Sequence, residues 1–378
     1  MSPESDSHAR LHAVGASGGD ESAVEGPLHG YHHETYVFPL PGEQGSGSPA
    51  RWKCREPRPG LLWFDRRCFT SEEQLLEGLR GRIDGIPDII EADGLKLQRF
   101  IEGRTLGAVC ESGLAVPDGF LRQIVGLFRQ LVEVPAENLS VDRRCTPEDR
   151  PEDGDSDGFL ERLVCFTEEH VYQGNLAAFE RLFTDLGVHP ESFKHLRKHV
   201  SGLRERPFRL LHADLHRENF IVDDAGRLWT IDWELAMVGD PLYDLATHLH
   251  LMRYPPGQAR AVARQWADTV ERARPGAAAG WRHDLPLLLG YKRAQSVFTD
   301  VIRVALSLEP LSLEPLSLEP GPDPYERQLA QAALKLRAVL AHAAPPLGIE
   351  SVPGPRRIVT ALARWQREHT RGSGRVPA

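Results

Sequence analysis

The chain has 378 residues, 41 % apolar and 26 % charged, with a formal net charge of −9. That length supports a sizeable core in two domains or two lobes, and the acidic balance excludes a general nucleic-acid binder, which needs a basic face. No run of about 18 apolar residues offers a membrane span, and the five cysteines lack the CxxC spacing of a zinc site.

Residues 1–29 are rich in Ser, Gly, Asp and Glu, without a hydrophobic signal region, and read as a disordered arm. Thr35–Phe38 and Arg51–Arg55 are β-favouring stretches separated by the glycine-rich Pro41–Ala50. A further β-like run covers Leu61–Phe64. Thr70 then serves as the N-cap of a helix, with Glu73 completing a capping box and Leu75, Leu76 and Leu79 as its buried face. Ile89–Phe100 reads as two short strands around a turn at Asp93-Gly94. Residues 30–100 therefore predict a small sheet with one helix.

The remainder, 101–372, is mostly helical in pattern. Leu121, Ile124, Val125, Leu127, Phe128 and Leu131 mark a helix within Phe120–Val134. Glu148–Asp157 is acidic, contains Pro151 and Gly154, and reads as a mobile loop. Helical patterns cover Phe159–Gly202, Gly257–Arg274, Leu285–Leu306, Tyr325–Ala343 and Arg356–Thr370, with one β island at Phe208–Trp233. Leu-Ser-Leu-Glu-Pro occurs in tandem at 306–310, 311–315 and 316–320. Each proline breaks a helix, so the repeat reads as an expanded interhelical loop.

The chemistry lies in the β island. The buried stretch Phe208–Leu211 leads into a polar loop with His212, Asp214, His216, Arg217, Glu218 and Asn219. Phe220–Val222, a turn at Asp224–Gly226 and Leu228–Ile231 form a β-hairpin. The hairpin brings Asp214 and Asn219 at its entry close to Asp232 at its exit. Asn219 and Asp232 are hard oxygen ligands suited to Mg²⁺, and Asp214 can accept a hydroxyl proton. This is the equipment of phosphoryl transfer, and Asp-x4-Asn is the spacing of a kinase catalytic loop.

Three motifs follow in order: His212-x-Asp214-x4-Asn219, Ile231-Asp232-Trp233-Glu234 and Gly239-Asp240-Pro241-x2-Asp244-Leu245-Ala246. Together they resemble the signature of the aminoglycoside phosphotransferase family over about residues 30–300. The resemblance implies an α+β, bilobal protein-kinase-like fold, with a small β-sheet N-lobe over 30–100 and a large, mainly helical C-lobe over 101–372. It implies Mg²⁺-dependent transfer of the γ-phosphate of ATP or GTP to a hydroxyl of a small molecule in the cytoplasm, with no nucleic-acid or membrane partner. It assigns Asp214 to the acceptor hydroxyl, Asn219 and Asp232 to the metal, and His212 and Asp244 to support of the loop. Asp240 reads as a helix N-cap, and Trp229 and Trp233 as core.

In the amino-terminal part, Gly30-x2-His33 resembles the phosphate-covering loop, with His33 where the family usually has Asn. Leu97-Gln98-Arg99-Phe100-Ile101-Glu102-Gly103 resembles the hinge, which makes Gln98 and Phe100 nucleotide contacts. Lys53 takes the phosphate-contacting role, paired with Glu73 or Glu72, with Arg55, Arg66 and Arg67 as alternatives for the cation. The family's loop commonly reads His-Gly-Asp-x-His-Pro-Gly-Asn. Here Ala213 replaces the first Gly, and Arg217-Glu218 replaces Pro-Gly, placing extra charge on the acceptor side. The implied acceptor is an aminoglycoside-like or other antibiotic. The alternatives are a metabolic choline-, homoserine- or sugar-kinase-like enzyme, or a nucleotide-binding regulator, against which the intact Asp214, Asn219 and Asp232 argue.

Overall fold

The computed structural model describes residues 7–28, 33–41, 50–58, 64, 66–92, 94–135, 137, 139–308 and 324–372. Gly30 and its loop, the Leu61–Trp63 stretch and the triple repeat from residue 309 onward lie outside the described residues. In chain order the elements are α1 (His8–Ala16), β1 (Glu25–Leu28), β2 (His33–Pro39), β3 (Arg51–Pro57), α2 (Glu72–Leu79), β4 (Ile89–Ala92), β5 (Leu95–Arg99), β6 (Arg104–Thr105), α3 (Leu106–Val109) and α4 (Asp118–Glu133). There follow α5 (Ser156–Phe166), α6 (Leu176–Asp185), α7 (Glu191–His199), β7 (Arg209–Leu211), β8 (Phe220–Val222), β9 (Leu228–Thr230), β10 (Met237–Gly239), α8 (Pro241–Met252), α9 (Pro256–Ala273), α10 (Trp281–Leu306), α11 (Pro324–Leu347) and α12 (Pro355–Gly372). Among the described residues, no helix is long and apolar enough to cross a membrane.

The chain divides into two compact units. One comprises Met1–Pro147 and Pro207–Ala278, the other Glu148–Arg206 and Ala279–Ala378. The first unit carries the sheets. Its antiparallel five-stranded sheet runs β1-β2-β3-β5-β4. Side chains alternate across it, so Tyr36, Phe38, Trp52 and Leu97 join one apolar layer. Helix α1 covers that layer with Ala9, Ala13 and Ala16, while Ser7 caps the helix at Arg10 N and Glu56 accepts the Ala9 N–H at 3.0 Å. Residues 7–28 are thus ordered, contrary to the disordered arm that composition implies. Their polar average conceals three alanines at helical spacing, small enough for close packing on a sheet.

Helix α2 begins one residue later than the capping box implies. Ser71 is the N-cap and accepts the Gln74 N–H at 3.2 Å, whereas the Thr70 hydroxyl donates to Asp142 O at 3.1 Å. The remaining strands form a three-stranded sheet, β6-β8-β9, and the pair β10-β7. The hairpin is in register Phe220↔Thr230 and Val222↔Leu228. Strand β10 was not legible in the sequence. It follows the short helical turn Trp233–Leu235 and, among the described residues, pairs with β7.

The second unit is helical, built from α5–α7 and α10–α12. Its core is aromatic: Phe193 stacks on Phe298 at 4.6 Å and Phe179 on Trp365 at 5.0 Å. The Arg206–Asp284 ion pair, 2.6 Å long, is wholly buried, and Asp284 also accepts the Arg204 N–H. The acidic Glu148–Asp157 stretch is more defined than a mobile loop. Gly154 bridges to Arg206, and Asp155 caps α5 by accepting the Gly158 N–H at 2.8 Å. Its acidic composition partly reflects this capping.

Candidate active site

The loop after β7 is built around a buried carboxylate from α8. Asp240 opens α8 as its N-cap, accepting the Leu242 N–H at 2.9 Å. One turn on, Asp244 Oδ2 accepts the His212 N–H at 3.1 Å and Oδ1 accepts the Ala213 N–H at 2.8 Å. These bonds hold Ala213 at φ 65°, in the left-handed region. A side-chain-bearing residue spends about 1–2 kcal/mol there, which gives a physical reason for glycine at this place in the family's loop.

His212 ties the loop to the hairpin exit. Its Nε2–H donates to Ile231 O at 3.1 Å and its Nδ1 accepts the Asp214 N–H at 3.3 Å. Complete burial pushes its pKa down to about 4, so the ring is neutral and can play both parts. It packs 4.7 Å from the Trp233 ring.

Asp214 and Asn219 are in direct contact. The Asn219 amide donates to Asp214 O at 2.9 Å and to its Oδ2 at 3.0 Å. His216 Nε2 lies 3.3 Å from the same Oδ2, while its Nδ1 accepts the Glu218 N–H at 3.2 Å. Burial alone would lower the His216 pKa, but the bond to Asp214 together with the negative charges of Asp214, Asp232 and Glu218 outweighs it, and the net shift is upward. With the Asn219 amide hydrogens committed, its oxygen is left to accept a ligand.

Asp232 stands across the hairpin, next to the Ile231 N–H that donates to Asn219 O at 3.0 Å. Its backbone is left-handed (φ 63°) and its carboxylate is 41 % exposed. Partial desolvation by its neighbours and repulsion from Glu72 raise its pKa to about 6. Such excess negative charge suits a cation, and the pair Asn219 oxygen plus Asp232 carboxylate is a hard-oxygen donor set of the kind Mg²⁺ takes with phosphates and water. Among the described residues no cluster of three or more His, Cys, Asp or Glu is arranged as a metal cage.

On the cationic side, the cation that pairs with α2 is Arg55, one of the alternatives read in the sequence, and not Lys53. Of the two candidate acids, Glu72 makes the direct ion pair and Glu73 a longer one. Glu72 is buried, and its Oε1 accepts the Trp233 N–H at 2.8 Å. Burial would raise its pKa, but Arg55 and Lys53 outweigh this and keep it low. Glu73 lies at the rim, 3.8 Å from Arg55 Nε, and accepts the Ser71 hydroxyl at 2.8 Å. The helical phase explains the difference. Glu72 shares the i, i+3, i+4, i+7 face with Leu75, Leu76 and Leu79, and Glu73 does not.

Lys53 makes no ion pair among the described residues, and burial lowers its pKa. Arg66 also makes none, whereas Arg67 Nη2 contacts Glu234 Oε2 at 2.8 Å. Glu234 further faces His33 Nδ1 and Arg55 Nη1, each at 3.7 Å. Burial and the adjacent Asp232 raise the Glu234 pKa to about 7. Glu234 and His216 lie inside the motifs but carry no role in the sequence reading, and Arg67, an alternative there for the phosphate-contacting cation, faces Glu234.

On β5, Gln98 is buried opposite Lys53 in the strand register. Its side-chain amide has no hydrogen-bond partner among the described residues. The Phe100 N–H donates to Arg51 O at 2.8 Å. Arg217 is also reassigned. Its buried guanidinium donates to Cys110 O, Leu114 O and Met252 O at 2.6, 2.9 and 3.1 Å. It braces the loop from within and adds no charge to an acceptor surface, whereas Glu218 is exposed. His248 is buried and neutral, bonded to Leu215 O and the Tyr254 hydroxyl.

The profile of the phosphotransferase enzyme family, APH, matches residues 75–279. The chain belongs to this family. The match contains the catalytic-type loop, the hairpin and α8, but not β2, β3 or the Glu72-Glu73 pair. No curated protein sequence matches the chain significantly. Solved structures of similar fold include a macrolide 2′-phosphotransferase from Brachybacterium faecium, 16 % identical, covering 93 % of this chain and 100 % of its own, with a TM-score of 0.50. A choline/ethanolamine kinase family protein from Mesorhizobium loti is 14 % identical, covering 94 % and 98 %, also with a TM-score of 0.50. The phosphotransferase family chain therefore has the kinase-like α+β fold.

Proposed function

We propose that this phosphotransferase moves the γ-phosphoryl group of ATP or GTP to a hydroxyl of a small molecule, with Mg²⁺ as cofactor. The observation that carries the reading is the Asp214–Asn219–Asp232 constellation. Asp214 Oδ2 takes the Asn219 amide and faces His216, while Oδ1 has no hydrogen-bond partner among the described residues. Asp214 orients the acceptor hydroxyl and takes its proton. The Asn219 side-chain oxygen and the Asp232 carboxylate would hold Mg²⁺, which would supply neutralisation of the nucleotide phosphate charge. Lys53 contacts those phosphates, and the Gln98 amide, unpartnered among the described residues, meets the purine side of the nucleotide.

The acceptor reading is an aminoglycoside-like or other antibiotic, whose phosphorylation abolishes target binding through added negative charge. A metabolic kinase is the second reading. The two similar folds, one a macrolide phosphotransferase and the other of the choline/ethanolamine kinase family, support each in equal measure. Both reactions take place in the cytoplasm, where the nucleotide is abundant, and neither needs a nucleic-acid or membrane partner.

The test is transfer of labelled γ-phosphate from ATP and GTP with Mg²⁺ to a pooled panel of amino-sugar, nucleoside and macrolide antibiotics and simple amino alcohols. Asp214→Asn is the control. A labelled product missing in the variant supports the enzyme, and deconvolution identifies the acceptor class. Absence of Mg²⁺-dependent nucleotide binding in the unaltered protein sinks the reading.

A further inference from the structure

Arg55 occupies an unusual position for a cation that would serve only the nucleotide. It pairs directly with Glu72 and lies 3.7 Å from Glu234, 3.8 Å from Glu73 and 4.0 Å from Asp232. Its side chain is only 17 % exposed. A guanidinium presents five N–H groups in a fixed fork and can face several carboxylates together. An ammonium is a point charge and cannot. Two residues earlier on the same strand face, Lys53 has no ion pair among the described residues. The two cations sit among the same carboxylates, Glu72, Glu73 and Asp232, but of the two only Arg55 makes direct ion pairs with them.

Glu72 is divided between two partners. Oε2 meets Arg55, and Oε1 accepts the Trp233 N–H at 2.8 Å. Trp233 directly follows Asp232, whose backbone is left-handed. A side-chain-bearing residue holds that conformation only where its surroundings enforce it. The Trp233 N–H anchored to Glu72 is one such constraint, and the hairpin bond from Ile231 N to Asn219 O is another. Without Arg55, Glu72 would be a buried carboxylate with its direct counter-charge gone, beside a second carboxylate at Asp232.

Resting on the phosphotransferase reading, we propose that Arg55 is a positioning residue. It holds Glu72, and through Glu72 the Trp233 N–H, so that the Asp232 turn is preset for a divalent cation, while Lys53 is left for the nucleotide phosphates. The work given to one lysine in the expected Lys–Glu pair is divided here between two residues of β3.

The test separates metal affinity from nucleotide affinity. Mn²⁺ serves as a spin probe, its binding to the complex of protein and a non-hydrolysable ATP analogue read by electron paramagnetic resonance. ADP binding without metal is read by calorimetry. Arg55→Gln is expected to weaken Mn²⁺ binding about tenfold or more, the usual size of an outer-shell effect, and to leave metal-free ADP binding nearly unchanged. Lys53→Gln is expected to do the reverse. Arg55→Lys should restore only part of the Mn²⁺ affinity. If Arg55→Gln does not fold by circular dichroism, Glu72→Gln carries the test, since it keeps an acceptor for Trp233 but removes the charge pair. It too should weaken Mn²⁺ and spare ADP. Unchanged Mn²⁺ affinity in the folded variant, or a loss of metal-free ADP binding equal to that in Lys53→Gln, overturns the proposal. Failure of the unaltered protein to bind the nucleotide analogue would instead overturn the phosphotransferase reading beneath it.

Discussion

Asp244 Oδ1 accepts the backbone N–H of Ala213 at 2.8 Å, on a residue whose φ is 65°. A buried carboxylate thus stabilises a backbone conformation that alanine resists. Ala213→Gly should relieve the strain and raise stability by about 0.5–1 kcal/mol, after allowing for the greater freedom of glycine in the unfolded chain. Asp244→Asn should lower it by about 2–3 kcal/mol, because the amide cannot accept from both N–H groups at once. Urea unfolding of both variants checks the two signs. A destabilised Ala213→Gly would contradict the strain argument.

Glu72 and Glu73 are neighbours with unequal burdens. Glu72→Gln should lower both stability and phosphotransfer, because Arg55 then lacks its direct counter-charge in the core of the site. Glu73→Gln should change stability by less than about 0.5 kcal/mol, as expected of a rim charge. Thermal melting with parallel activity measurements compares them. Equal effects would show that α2 is rotated from the phase described above.

Arg217 spends its guanidinium on three carbonyl oxygens, those of Cys110, Leu114 and Met252. Arg217→Ala should cost about 3 kcal/mol or more, since buried acceptors lose their donors. Arg217→Lys should recover little of that, because one ammonium does not reproduce the fork. Denaturant midpoints give the answer, and a fully stable lysine variant would remove the bracing role.

His248 makes a prediction about acid. Burial brings its pKa from 6.5 to about 4, so the unfolded chain takes up the proton first as the pH falls. The contribution of the neutral ring is complete above pH 6.5 and declines as the pH falls from about 6.5 to 4, by up to on the order of 3 kcal/mol. His248→Gln should begin less stable at pH 7, having lost the bonds to Leu215 and Tyr254, and then lose less between pH 6.5 and 4. Urea midpoints across that range compare the slopes. Identical slopes would assign the acid sensitivity to other groups.

The parts of the molecule legible in the sequence share a physical basis. The hairpin that joins Asn219 to Asp232 is local, so its turn and its alternating strands fix where its ends meet. Asp244 could be read through its motif, Gly239-Asp240-Pro241-x2-Asp244, whose resemblance to the family's implies that it supports the loop. The cation arrangement was harder. Lys53 and Arg55 lie on the same face of β3, and nothing local distinguishes which of them reaches α2. That depends on how far the helix lies from the strand, a tertiary quantity. Glu72 was within reach of helical phase alone, since it completes the face of Leu75, Leu76 and Leu79. Arg217 was not, because its three acceptors come from two distant segments, Cys110–Leu114 and Met252.

Helix α1 has nine residues, fewer than an isolated helix needs to persist in water. Its order is therefore borrowed from the sheet it covers, and the sheet must form before the helix has a surface on which to wind. In a stability gradient across the protein, this segment is the first to be released and the last to return. A protease given folded protein would find the bend at Gly18-Gly19 early, and its cut would uncover the Tyr36–Trp52 layer of the sheet.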